Sequence, residues 1–271
     1  MMDVRGRSPG KKQISYLRRL AGRRFREKEG RFLLEGVRPV EEALAAGWEI
    51  QALLYTPEAA ERERTAALIA AVRERRGELF EVEEKVLQTL SATVTPQGVV
   101  AVVRRPGYDL SVLLAKRPTL LVLVDGVQDP GNLGAIIRSA DAAGADGVIL
   151  LPGTVDLYNP KTVRATMGSL FHLPVVTGET ALVLASLAAA GLRVVTGVPR
   201  ASLPIYRVEL TGPVALAVGN EAAGPSPAVI AAGQPAGIPM PGRAESLNVA
   251  VAAAVMLYEA VRQRATLPIF Q

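Results

Sequence analysis

The chain has 271 residues, 49% of them hydrophobic and only 4% aromatic, with no cysteine and one histidine, His172. Disulfides, thiolate metal sites and cysteine nucleophiles are excluded together, and a lone histidine without cysteine cannot build a zinc site, so no metal is expected. Net charge is +5, but residues 1–31 carry eleven Lys or Arg against three acids, a balance of +8 that leaves −3 for the other 240.

Residues 1–10 hold Gly6, Pro9 and Gly10 and are expected to be disordered. A basic helix is predicted over 12–28, with Ile14, Leu17, Leu20, Ala21 and Phe25 on one face. That spacing leaves Arg18, Arg19, Arg23 and Arg26 toward solvent as candidate RNA contacts; the plain alternative is a solubilising tail. A strand follows at 31–36, a helix at 37–46, a strand at 50–55, a helix at 58–76, and short strands at 79–82 and 98–103. This alternation describes a small α/β unit with no phosphate loop and no acid/base cluster. Arg104-Arg105-Pro106-Gly107 reads as a linker, which divides the chain into domains 1–106 and 107–271.

The second domain opens with a connecting helix at 109–115 and a buried strand at 120–124. It continues as helix 132–143, strand 147–151, helix 160–169, strand 173–176, helix 180–190, strand 192–197, strand 213–218, helix 226–232, strand 236–239 and helix 247–262. Strands of Leu, Val, Ile and Ala suit a parallel sheet buried on both faces. His172, just before a strand, is expected to be a partly buried structural residue. No run of about twenty uncharged apolar residues appears, the length a membrane span needs, and the basic N-terminus lacks the apolar core of a signal peptide. A cytoplasmic protein without a membrane partner is expected.

Three polar loops follow apolar runs in this half. They are Asp125 to Gly134 with Arg138, Gly219 to Gly224, and Ile238 to Asn248. In open α/β sheets, ligands bind where loops leave the carboxyl ends of strands, so the three describe one site. Gly131 and Gly134 do not make a dinucleotide fingerprint. The glycine spacing is wrong, and no acid ends the second strand.

Asn132, Gly134 and Arg138, then Gly219-Asn220-Glu221 with Gly224, then Ile238-Pro239-Met240 running on to Ser246-Leu247-Asn248-Val249, resemble the three motifs of SpoU/TrmH-type (SPOUT class) ribose 2′-O-methyltransferases. The resemblance covers roughly 120–262. It implies a C-terminal SPOUT domain with a parallel sheet and a trefoil knot, a feature nearly absent from proteins at large. It further implies that Phe32 to Arg38 opens a small α/β RNA-binding domain similar to ribosomal protein folds. The implied reaction moves a methyl group from S-adenosylmethionine to a ribose 2′-hydroxyl.

The resemblance places Asn132, Arg138, Glu221, Ser246 and Asn248 at the reacting centre. For Arg138 it implies assistance in deprotonating the hydroxyl. A guanidinium stays protonated, so a fork that holds a phosphate and orients the 2′-oxygen fits equally. Glu221 is placed to pair with Arg138 and fix its orientation. Asn132 also suits a helix N-cap, and either Ser246 or Asn248 can cap the last helix. By the same resemblance, Gly219, Ile238 and Leu247 surround adenine. Ile238, Met240 and Leu247 would form an apolar slot, and Thr196 and Gly197 would line the same pocket. Lys161 and Arg164, at helical spacing, are candidate phosphate contacts, and the run 158–174 is closer to the family's ribosomal-RNA members. The alanine-rich last helix suits either a homodimer interface or tight internal packing. The expected function is methylation of ribosomal RNA of the large subunit; the alternatives are a tRNA methyltransferase or a non-catalytic RNA-binding or ribosome-assembly protein.

Overall fold

In the computed structural model, residues 6–91 and 97–265 are described. The chain forms two compact units, 1–107 with 158–164, and 108–157 with 165–271. The main stretch of the first unit ends at Gly107. The assignment of 158–164 to the first unit was not visible in the sequence.

The first unit holds α1 (Lys11–Arg19), α2 (Arg23–Glu29), β1 (Arg31–Glu35), α3 (Val37–Ala45), β2 (Ile50–Tyr55), α4 (Pro57–Ala60), α5 (Glu63–Glu74), β3 (Glu78–Glu81), α6 (Glu84–Leu90) and β4 (Val99–Arg104). Its mixed sheet runs β1-β4-β2-β3, with β2 and β3 parallel and the other pairs antiparallel. Leu17 and Leu20 seal one face of it with Leu87 and Leu90 of α6, over Leu54, Phe80 and Val102. The expected helix over 12–28 is two helices, because the chain turns at Ala21-Gly22 and restarts with Gly22 in extended backbone. Residues 6–10 are not a loose arm. Gly6 N donates to the Tyr55 hydroxyl, and Arg7 bridges to Phe80. The expectation for 1–5 lies outside the described residues. The expected helix 58–76 is likewise divided, its start set earlier by Thr56, which caps α4 ahead of Pro57.

The second unit holds α7 (Leu110–Ala115), β5 (Leu120–Asp125), α8 (Pro130–Ala142), β6 (Gly147–Leu150), β7 (Val175–Thr177), α10 (Thr180–Ala189), β8 (Arg193–Gly197), β9 (Val214–Gly219), α11 (Pro227–Ala232), β10 (Gln234–Ala236) and α12 (Val249–Arg264). Helix α9 (Pro160–Ala165) lies at the junction in the chain, and all but its last residue belong to the first unit. The sheet order is β10-β8-β9-β5-β6-β7, parallel throughout. Alternation along each buried strand sends Leu121, Leu123, Ala215 and Ala217 to one face, beneath Leu113, Val183, Leu187 and Val229 of α7, α10 and α11. Helices α8 and α12 pack together and on the sheet through buried Leu133, Ile136, Ile137, Ala253, Met256 and Leu257. Ala250, Ala253 and Ala260 therefore serve internal packing. Chain order reverses between β5 and β9, the position where α/β sheets open a crevice at their carboxyl edge. His172 is exposed behind a 3₁₀ turn at Ser169–Phe171, not partly buried as expected.

Candidate active site

Strand β5 ends in buried Asp125, whose carboxylate accepts from Ser226 N at 2.6 Å. Gly126 then turns with φ +74°, and Asp129 caps α8 by accepting from Asn132 N at 2.8 Å. Asn132 is therefore not the cap. It sits one turn inside, where its side chain is free to make other bonds.

Two of these bonds tie the three loops together. Asn132 Nδ2 donates to Glu221 Oε1, and Asn132 Oδ1 accepts from Asn248 Nδ2, each at 2.9 Å. Glu221 also accepts from the backbone amides of Gln128 at 3.2 Å and Asp129 at 3.1 Å. Burial pushes the Glu221 carboxyl up, but hydrogen bonds from Asn132 and from the amides of Glu221, Asp129 and Gln128 outweigh it and hold the pKa below the usual 4.5. Asn248 Oδ1 in turn caps α12, accepting from Ala250 N and Val251 N.

The expected Glu221–Arg138 pair does not form. Among the described residues the Glu221 carboxylate is taken up by the first loop, and Arg138 is exposed on α8 without an ion pair. Ser246 is exposed at the cleft wall and leaves the capping of α12 to Asn248.

Strand β9 delivers the second loop. Asn220 Oδ1 accepts from Ala222 N and Ala223 N, its Nδ2 donates to Gly126 O, and its backbone pairs with Gly224 in both directions. A Cβ on Gly219 would stand 2.0 Å from Pro225 N, so only glycine lets the loop fold back this closely.

Between these loops lies a cleft of about 620 Å³ walled by Gly197, Gly219, Ile238, Met240, Leu247 and Met256, with Glu221, Ser246 and Asn248 at its polar side. Strand β10 stops at Ala236, earlier than expected, which leaves Ile238 and Pro239 in the loop. Thr196 does not line the cleft. It is fully buried, and its hydroxyl donates to Val229 O at 3.3 Å, toward α11. Gly197, Gly219, Ile238, Met240 and Leu247, all expected at the cofactor pocket, thus line one slot rimmed by loop backbone and glycine.

The basic residues of the first unit divide by environment. Arg18, Arg19 and Arg23 are exposed. Arg18 bonds Thr89, Arg19 covers the Phe25 ring at 4.1 Å, and Arg23 pairs with Glu27. Arg26 turns inward, 4% exposed, and donates to Leu20 O and Ala21 O. It closes the end of α1, so the expectation that it faces solvent is corrected. Lys161 and Arg164 are exposed on α9, anchored by buried Thr162 and Val163. Just ahead of them, Tyr158 packs on Phe32 with ring centroids 4.7 Å apart. Asp125, Asp129 and Ser226 had no role in the sequence reading; a buried acid ending a strand beside a glycine turn was the available signal.

Residues 119–258 match the SpoU rRNA Methylase family, and residues 11–101 match the MRM3-like substrate binding domain. The chain is 40% identical over 253 residues to a 23S rRNA (uridine(2479)-2′-O)-methyltransferase of Streptomyces viridochromogenes, covering 90% of this chain and 87% of that one. It is 36% identical over 242 residues to the Bacillus subtilis 23S rRNA (guanosine(2553)-2′-O)-methyltransferase RlmP, covering 89% and 92%. The crystal structure of the SpoU methyltransferase AviRb from S. viridochromogenes with the cofactor AdoMet superposes with a TM-score of 0.85 at 37% identity, covering 94% and 98%. With the three motif loops joined through Asn132 at the carboxyl edge of a parallel sheet, the chain belongs to the SpoU rRNA methylase family.

Proposed function

We propose that this protein methylates a ribose 2′-hydroxyl in large-subunit ribosomal RNA. The observation that carries the reading is the Glu221–Asn132–Asn248 chain beside a glycine-rimmed cleft. Bound in that cleft, S-adenosylmethionine would supply an electrophilic methyl group. The protein's own part is positioning, which in well-oriented reactions contributes about 7–11 kcal/mol to lowering a barrier. Asn132 and Asn248 fix the loops against each other. Glu221, saturated with donors and low in pKa, serves as a clamp and is a poor base. Arg138, exposed and unpaired among the described residues, is available to grip the acceptor's phosphate and orient its 2′-oxygen. The exposed arginines of α1 and α2, with Lys161 and Arg164, would hold RNA on the first unit.

A homodimer is part of this proposal. Val251, Val255 and Tyr258 form an exposed apolar stripe along α12, between 38% and 53% accessible. Such a stripe suits a symmetric contact. The expected knot is supported by the chain's return from edge strand β10 to pack α12 on α8 and β9. Incubation with methyl-labelled S-adenosylmethionine and either ribosomal RNA or tRNA, followed by mapping of 2′-O-methyl positions, tests the activity. Label confined to a large-subunit ribose supports the reading; label on tRNA, or none on any RNA, overturns it.

A further inference from the structure

A second cavity, about 530 Å³, adjoins the cofactor cleft between the loop after β8 and the loop after β10. The two share Pro199, Arg200, Ile238, Met240 and Glu245, whereas Tyr206 and Arg243 line the second cavity and not the first. Tyr206, in the 3₁₀ turn Ile205–Arg207, is 54% accessible and lines this cavity. Arg243 has no ion-pair partner among the described residues. Arg200 has one weak partner, Glu245 at 3.8 Å, with both side chains more than 80% accessible. One stacking surface and two available guanidinium groups around a pocket of this size match a single unpaired nucleotide. Aromatic faces take bases of any sequence, and arginines take the phosphate. The cavity contains none of Asn132, Arg138, Glu221 or Asn248, so the nucleotide held here is not the one methylated.

We infer that this cavity binds an unpaired nucleotide flanking the target, with its base on Tyr206 and its phosphate on Arg243 and Arg200. The flanking phosphate displaces Glu245, the weak partner of Arg200. The inference rests on the proposed RNA methyltransferase reading and adds a specificity subsite to it.

The experiment compares the full-length protein with Tyr206→Ala, Tyr206→Phe and Arg243→Gln. It measures S-adenosylmethionine affinity and, across a salt series, affinity for a large-subunit RNA fragment methylated by the wild type. Tyr206→Ala should lose about tenfold in RNA affinity, Tyr206→Phe should retain it, and Arg243→Gln should lower the log–log salt slope by about 0.7. Cofactor affinity should stay unchanged in all three. Wild-type RNA affinity and slope in both Tyr206→Ala and Arg243→Gln would overturn the subsite while leaving the activity standing. Absence of methylation by the wild type would instead sink the activity reading. Equal losses in Tyr206→Phe and Tyr206→Ala would also overturn the inference, because stacking needs only the ring.

Discussion

Asn132 and Asn248, 116 residues apart, are joined by a side-chain hydrogen bond of 2.9 Å. The bond works in one direction only. Asn132 spends its donor on Glu221, so its oxygen must face Asn248, and Asn248 spends its own oxygen capping α12. Each amide is thereby oriented by the next. Replacing Asn132 with Asp removes the donor and sets a second carboxylate against Glu221. Asn132→Asp should unfold more easily, by about 1–3 kcal/mol, and turn over at least tenfold more slowly. Melting and single-turnover methylation measured together decide it; a variant matching wild type in both would show that the three loops do not depend on this residue.

Arg138 makes the opposite prediction for stability. It is exposed and has no ion-pair partner among the described residues, so Arg138→Ala should melt like the wild type. Cofactor affinity should hold, because the cleft wall does not include it. Turnover should fall more than tenfold, a loss above about 1.4 kcal/mol in transition-state stabilisation. Retention of more than a tenth of wild-type turnover would remove Arg138 from the mechanism.

Glu221 sets a pH dependence. Its folded pKa lies below the unperturbed 4.5, since hydrogen bonds from Asn132 and backbone amides outweigh burial. A depressed carboxylate contributes stability that is fully present above its unfolded pKa and is lost as pH falls through the folded one. The difference in melting temperature between the wild type and Glu221→Gln should be constant from pH 7 down to about 5, then narrow at lower pH. A difference that widens on acidification would mean the carboxylate is not clamped by these donors.

The three loops were legible because each is a polar cluster directly after an apolar run, and because the strands before two of them lie within a residue of expectation. What those loops do to one another was not legible. Glu221 was assigned to Arg138 on charge alone, whereas backbone amides of Gln128 and Asp129 and the Asn132 side chain reach it first. Helical periodicity failed for Arg26 because it assumes an unbroken helix. The turn at Ala21-Gly22 resets the phase and brings the guanidinium inward. Thr196 sits in a strand where alternation decides its face, and that face is the core beneath α11. The packing of 158–164 with the first unit includes contacts of the Tyr158 ring with Phe32 and Arg105, which no local pattern announces.

Gly219 separates backbone demand from side-chain chemistry. Its missing Cβ would meet the backbone of Gly224 and Pro225 at 2.0–2.4 Å, and backbone cannot step aside as a flexible side chain can. Gly219→Ala should therefore open the second loop and abolish S-adenosylmethionine binding. Gly212→Ala, with nothing within 4 Å of the added carbon, should bind as the wild type does. Calorimetric titration of both proteins checks the pair; cofactor affinity preserved in Gly219→Ala would place the ligand away from this loop.

The last prediction concerns which arginines of the N-terminal helices meet RNA. Truncating the segment would confuse the question, since Leu17 and Leu20 are core residues of the first unit. Point substitutions keep the fold. Arg19 is exposed over the Phe25 ring, a contact worth about 0.5–1 kcal/mol at an accessible site. Arg19→Ala should scarcely change melting but lower the salt slope of RNA binding by about 0.7–0.9, one phosphate contact. Arg26 is buried and bonds the carbonyls of Leu20 and Ala21. Arg26→Ala removes the donor from the buried Leu20 carbonyl and should destabilise the protein by about 1–3 kcal/mol, while the slope of the remaining folded protein stays at the wild-type value. The two variants thus exchange phenotypes, although each removes one positive charge from the same basic segment. A salt slope reduced equally by both would mean that net charge alone governs RNA binding, and that the inward turn of Arg26 has no bearing on it.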